Sequence, residues 1–164
     1  MARTVVLLSC VAQKLSEPAK AKDLYQSDLF KKSLGYGESL KPNAMFILSA
    51  KHYLLPLNKV IDPYNKTLKD MNAEDRQKWA DVVLSQLKNK GYDLDKDNFV
   101  ILAGSTYSKD LIPHMKNYEL PLKGKRIGEQ KSWLKKQLEK LKETVIKLTH
   151  LLYEAIKEKS PFFN

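Results

Sequence analysis

The chain has one cysteine, Cys10, in 164 residues, which excludes an internal disulfide framework and a Cys-rich zinc site. Its three histidines, His52, His114 and His150, are scattered without ligand-like spacing, so no metal and no metal cofactor is expected. No apolar run approaches the roughly 20 residues of a membrane span. The opening "MARTVVLLSC" is too short and is followed by polar residues without a cleavage site, so it reads as a first strand and not a leader. There is no G-x-G-x-x-G and no Walker lysine motif, which removes the usual signals of dinucleotide enzymes and NTPases. Repeats and low-complexity tracts are missing too. Acidic residues are the scarcer charge: 19 Asp and Glu stand against 29 Lys and Arg, leaving a net charge of +10. That balance favours polyanions, through phosphate neutralisation and long-range steering. A cytoplasmic protein with a nucleic-acid or nucleotide partner and no membrane contact is the expectation.

What is present is a set of three short apolar runs, "TVVLLS" (4–9), "AMFILS" (44–49) and "NFVILAG" (98–104). They do not alternate, as expected of strands covered on both faces in a parallel sheet. Helical stretches lie between them. "AKAKDLYQSDLFKKSLGYGESL" carries Leu24, Phe30 and Leu34 as apolar positions. "NAEDRQKWADVVLSQLKNKG" opens on Asn72 as N-cap, continues with acids, and closes on lysines and Gly91. Trp79, Val83 and Leu87 form its apolar stripe. From Glu129 to about Lys159 there is no Pro or Gly, and Leu134, Leu138, Leu141, Val145, Leu148 and Leu152 alternate spacings of four and three. This predicts a long C-terminal helix that either docks on its own domain or forms a coiled-coil-like contact with a second chain, a possible homodimer. The fold class is therefore α/β, a three-layer sandwich with a mainly parallel central sheet. An α/β domain over 1–125 is followed by a helical extension over 126–164.

Ligands of such sheets bind beyond the carboxyl ends of the strands, and polar residues gather there. Ser9, Cys10 and Lys14 follow the first run. A desolvated lysine becomes a nucleophilic amine, and a charged one holds phosphate. Cys10 is a nucleophile if its thiolate is stabilised, or a small packing residue if not. Tyr25 and Ser27 offer hydroxyls, although Ser27 also suits a helix cap. After the second run come Ser49, Lys51, His52 and Tyr53, then Asp62, Pro63 and Tyr64. His52 is a general acid or base candidate, and Tyr53 and Tyr64 are stacking candidates. After the third come Ser105 and Tyr107. Lys123, Lys125 and Arg126 form a basic loop suited to a nucleic-acid backbone.

Three of these segments, "SCVAQKL…DLYQSDLF", "ILSAKHYLLP…IDPYNKTL" and "AGSTY", together resemble an uncharacterised domain family. That family carries S-C-x-x-x-K, then L-Y-x-S-x-x-F, then I-L-S-A-K-H-G-L followed by P-Y-x-x-T-L. The resemblance covers about residues 4–120, and Tyr53 stands where the family usually has Gly. More distantly, the chain is similar to the YaaA-like peroxide-stress family of DNA-binding proteins and to the archaeosine synthase core. The lysine of that core, in P-C-x-x-x-K-P-Y, attacks a modified base in tRNA, and its fold is similar to uracil-DNA glycosylases. Cys10 and Lys14 keep the C-x-x-x-K spacing, but Ser9 replaces the Pro and Leu15-Ser16 replace Pro-Tyr. The polar strand ends, the charge of +10 and the resemblance together point to an enzyme acting on a nucleobase or its glycosidic bond, in nucleic acid or a nucleotide, glycosylase-like or base-modifying: a hydrolase, lyase or transferase. Lys14, His52 and Cys10 would be its catalytic residues. Ser9, Tyr25, Ser27, Ser49, Lys51, Tyr64, Ser105 and Tyr107 would contact substrate. The alternative is a non-catalytic DNA-binding protein of the stress-response type.

Overall fold

Val5, Val6, Leu7 and Leu8 have no solvent-exposed surface. A strand made of such residues must be paired on both edges and covered on both faces. The computed structural model, which describes residues 1–159, meets both demands. Strand β1 (Thr4–Ser9) lies in the middle of a five-stranded sheet. The other members are β3 (Ala44–Ser49), β4 (Tyr53–Pro56), β6 (Asn98–Leu102) and β7 (Asn117–Glu119), in the order β4-β3-β1-β6-β7. All pair in parallel except β4, which runs antiparallel to β3. A separate two-stranded pairing joins β2 (Ala19–Lys20) to β5 (Val60–Ile61).

Helices cover both faces. Helix α3 (Ala73–Asn89) packs Trp79, Ala80, Val83, Leu84 and Leu87 against Val5, Leu7, Leu48, Phe99 and Ile101. On the other face α1 (Ala21–Leu24), α2 (Asp28–Ser39) and α5 (Ile127–Lys159) cover Val6, Leu8, Ile47, Val100 and Leu102. The fold is therefore a three-layer α/β sandwich with a mostly parallel sheet and a long C-terminal helix. A short helix, α4 (Ser105–Ser108), follows β6.

Local chemistry explains the boundaries. Asn72 Oδ1 accepts the Asp75 N–H at 2.8 Å, and Glu74 and Asp75 sit in the positive first turn of α3. Gly91, at φ +86°, reverses the chain after that helix. Gly37 lets α2 lie close on the sheet: a Cβ there would come within 2.7 Å of Met45 and 3.0 Å of Val6. The short strands β2, β4, β5 and β7 are additions to the three that the apolar runs announce. Their two to four residues are too few to show a period, and Pro56 in β4 reads as a breaker. It is tolerated because β4 is an edge strand. β6 also stops at Leu102, two residues before the end of its apolar run.

At the amino edge of the sheet, Arg3 and Asp97 tie the start of β1 to the start of β6. The carboxylate of Asp97, 3% exposed, accepts the Arg3 backbone N–H at 2.9 Å, the Arg3 guanidinium at 2.8 Å and the Asp93 N–H at 2.8 Å. Burial opposes its ionisation, but the guanidinium and the two N–H groups outweigh that and hold the carboxyl at about 2. A carboxyl lowered by folding stabilises the protein above its unfolded pKa and loses that contribution as pH falls through the folded value. Asp97→Asn is expected to cost on the order of 2 kcal/mol in urea unfolding at neutral pH. It should also flatten the acid limb of the stability curve between about pH 4 and pH 2.

Candidate functional site

The carboxyl ends of β1, β3 and β6 open on one edge of the sheet. β1 connects to β3 on one side, and the chain later returns to β6 on the other, so the strand order reverses at β1. Such reversals leave a crevice where ligands of open α/β sheets bind. Cys10 sits at this point. Its Sγ donates to the Tyr107 hydroxyl across the crevice at 3.2 Å. That hydroxyl also accepts the Leu68 N–H at 3.4 Å and bonds Thr67. Burial, reinforced by Cys10, raises Tyr107 above the ordinary phenol value.

Tyr64 organises the neighbouring cluster. Its hydroxyl lies 2.8 Å from Ser49 Oγ and 2.6 Å from the Tyr25 hydroxyl. Ser49 Oγ already accepts the N–H groups of His52 (2.9 Å) and Lys51 (3.3 Å), so its own proton points to Tyr64. Tyr64 in turn donates to Tyr25. Burial pushes Tyr25 up to about 12 and raises Tyr64 as well. The Trp79 indole N–H holds the Ser49 carbonyl at 2.9 Å and its ring meets Tyr107 edge-on at 5.8 Å. Three segments separated in sequence are thereby fixed to one another.

Lys14 lies over this phenol pair. A short backbone pairing with Tyr25, supported by Leu15 N–H to the Leu24 carbonyl and Gln26 N–H to the Gln13 carbonyl, sets its position. Its Nζ is 4.6 Å from the Tyr64 ring centre and 5.6 Å from that of Tyr25, within cation–π range. Among the described residues no carboxylate pairs with it, and its hydrogen bond is to the Ala12 carbonyl at 3.3 Å. Burial lowers its pKa, while Cys10 opposes that. Lys51 approaches the Tyr64 ring at 5.8 Å, and His52 meets it edge-on at 5.3 Å. His52 Nε2 is closed off from solvent and has no hydrogen-bond partner among the described residues. Burial, followed by the charges of Lys51 and Lys59, lowers its pKa, with Asp62 opposing.

The structure thus brings together Cys10, Lys14, Tyr25, Ser49, Lys51, His52, Tyr64 and Tyr107. Ser9 is at the strand end, but its hydroxyl turns to the Cys10 carbonyl at 3.0 Å. Ser27 caps α2 by accepting the Phe30 N–H at 3.1 Å. Ser105 is exposed in the first position of α4. Lys123 and Arg126 are exposed before and at the start of α5, and Lys125 lies over the Trp133 ring at 5.8 Å. Thr67 and Trp79 join the site without being singled out as polar partners from sequence. Trp79 was legible only as an apolar stripe position, and Thr67 only as part of "PYNKTL". Tyr53 adopts φ +58°, the left-handed conformation that glycine takes most easily. The turn expected of a glycine is therefore kept with a tyrosine in it, at a strain cost on the order of 1 kcal/mol. Tyr53 lines a cavity of about 320 Å³ with Ala50, Met71 and Trp79, adjoining the Ser49 turn. A larger cavity of about 460 Å³, beside Tyr92, Asp93 and His114, lies at the other edge of the sheet and shares no residue with the cluster. Among the described residues no three His, Cys, Asp or Glu side chains gather as a metal ion would need.

Sandwich and carboxyl-edge cluster together define an α/β domain with a carboxylate-poor, tyrosine-lined site. Residues 5–136 match the model of a family of unknown function, DUF6884, and the chain belongs to that family. The match runs past residue 126 into α5, farther than the shared motifs extend, and takes in the fully buried Leu134. No curated protein and no solved structure matches the chain.

The lowered His52 pKa has a consequence for stability. The unfolded chain takes up its histidine proton near 6.5, before the folded one does. Stability therefore falls as pH drops through that value. His52→Gln is expected to reduce the slope of unfolding free energy against pH between about pH 7 and pH 5.

Proposed function

We propose that the protein is an enzyme acting on a nucleobase or its glycosidic bond, in nucleic acid or a nucleotide, with Lys14 as the attacking amine. The observation that carries this reading is a lysine desolvated against two phenol rings with no pairing carboxylate among the described residues. Removing a lysine from water makes its neutral, nucleophilic form more accessible. The C-x-x-x-K spacing of Cys10 and Lys14, shared with the archaeosine synthase core, supports the same role. The net charge of +10 supports an anionic substrate.

In this reading the Lys14 amine attacks the sugar carbon that bears the base. The carbon–nitrogen bond to the base breaks, and the base leaves with the electron pair and takes a proton from solvent. His52 Nε2, which has no hydrogen-bond partner among the described residues and lies against the same tyrosine ring, takes the proton shed by the lysine nitrogen. As the sugar ring opens, the nitrogen lone pair forms the C=N bond, His52 returns its proton to the departing ring oxygen, and a protonated imine is left on Lys14. Lys51 holds phosphate, and the phenol rings of Tyr25 and Tyr64 give the base or sugar a face to lie on. Lys123, Lys125 and Arg126 contact the backbone farther off.

Borohydride trapping with base-modified and abasic DNA and RNA tests this. Wild type is expected to give a covalent adduct that Lys14→Ala abolishes with the fold intact, and His52→Ala is expected to slow trapping by about a hundred-fold. An adduct that survives Lys14→Ala removes the catalytic lysine. No adduct, but tight binding that weakens steeply with salt, favours the second reading: a non-catalytic DNA-binding protein resting on the charge of the chain.

A further inference from the structure

The first turns of α5 are built into the domain. Lys131 pairs with Asp28 at 3.8 Å, Trp133 meets Tyr36 edge-on at 5.1 Å, Leu134 is fully buried, and Leu138 lies 3.7 Å from where a Gly35 side chain would begin. α2 and α5 thus run side by side in the same direction, and α2 ends at Ser39. α5 does not end there. Its apolar stripe continues through Leu141, Val145, Leu148 and Leu152 on the face that packs on α2 below, now 38%, 61%, 60% and 63% exposed. Leu151 and Ile156 widen that face. The free stretch from Leu141 to Lys159 is about 28 Å long, an apolar surface that monomers seldom leave to water.

We propose that this stretch pairs antiparallel with the same stretch of a second copy of the chain, centred on His150. The spacing supplies two interleaved series, Leu138, Val145, Leu152 and Leu141, Leu148, Ala155, as a two-helix seam requires. Turned about His150, Val145 of one helix meets Ala155 of the other, and Leu148 meets Leu152. Beside the seam, Leu151 and Thr149 each face their own counterparts, Thr144 faces Glu158, and the Lys142 stem lies along Ile156. No like charges meet. The charge distribution favours this partner. The chain carries +10, yet the free stretch holds Lys142, Lys147, Lys157 and Lys159 against Glu143, Glu154 and Glu158. Two copies scarcely repel there, and antiparallel pairing keeps their basic domains at opposite ends, whereas parallel pairing crowds them. A nucleic acid or a lipid surface calls instead for a uniformly basic polar face. Two such stretches cover on the order of 1,000 Å² in total, which suits a reversible dimer. The stretch lies beyond the family match, which ends at residue 136, and the pairing does not depend on the chemistry at Lys14.

Sedimentation of the full chain across the micromolar range, with cysteine cross-linking, tests the pairing. Wild type is expected to shift from monomer to dimer, and Leu148→Asp to weaken the dimer at least tenfold while circular dichroism shows the domain folded. In a Cys10→Ser background, a short bis-maleimide should link Thr149→Cys, which faces its counterpart, and not Leu141→Cys, which faces its counterpart only in a parallel pair. A monomer throughout, a dimer indifferent to Leu148→Asp, or linkage through Leu141→Cys but not Thr149→Cys each overturns the proposal.

Discussion

Four consecutive residues of β1 without exposed surface leave its peptide groups no water to bond. Each N–H and C=O there needs a partner strand, and each side chain needs a layer of apolar atoms. β3, paired along Val5–Ser9, and β6, paired along Thr4–Leu8, supply the first, both in parallel. α3 on one face and α1, α2 and the start of α5 on the other supply the second. Parallel neighbours demand crossover connections, which carry the helices. The same geometry brings the carboxyl ends of β1, β3 and β6 to one edge, where polar side chains can reach solvent and one another. The site is a consequence of how β1 is buried.

At that edge the hydrogen bonds from Ser49 through Tyr64 to Tyr25 do for the side chains what the sheet does for the backbone. They join the turn after β3, the segment before the single helical turn at Leu68–Asp70, and the segment before α2, so Lys14 and His52 settle on one ring from different directions. Both groups are pushed toward their neutral forms, chiefly by burial. Nucleophilic attack with proton transfer needs a free amine and an imidazole able to accept a proton, and both shifts run in that direction.

The sheet core was legible because its strands are unbroken apolar runs of five or six residues, long enough to stand out from helical periodicity. α3 was legible from Asn72, its apolar stripe and Gly91, each with a mechanism that acts within a few residues. The edge strand β4 was hidden by Pro56, whose cost depends on being at an edge, a property of the whole sheet. The gathering of Lys14, His52 and Tyr64 was legible only as polar residues at strand ends. That the phenol hydroxyls bond one another, and that Trp79 secures Ser49, depends on distances between segments that no local pattern encodes. The heptad seam divides: Leu134 and Leu138 dock on the domain, whereas Leu141, Val145, Leu148 and Leu152 stay exposed.

The central claim is that Lys14 rests on the Tyr25 and Tyr64 rings in a site that favours the free amine. Reductive methylation with carbon-13 formaldehyde, followed by NMR titration and assigned through Lys14→Arg, tests it most directly. The account predicts one dimethyl-lysine resonance displaced by the ring currents and titrating below those of the other 25 lysines. A Lys14 resonance that lies among the bulk lysines and titrates with them would contradict it.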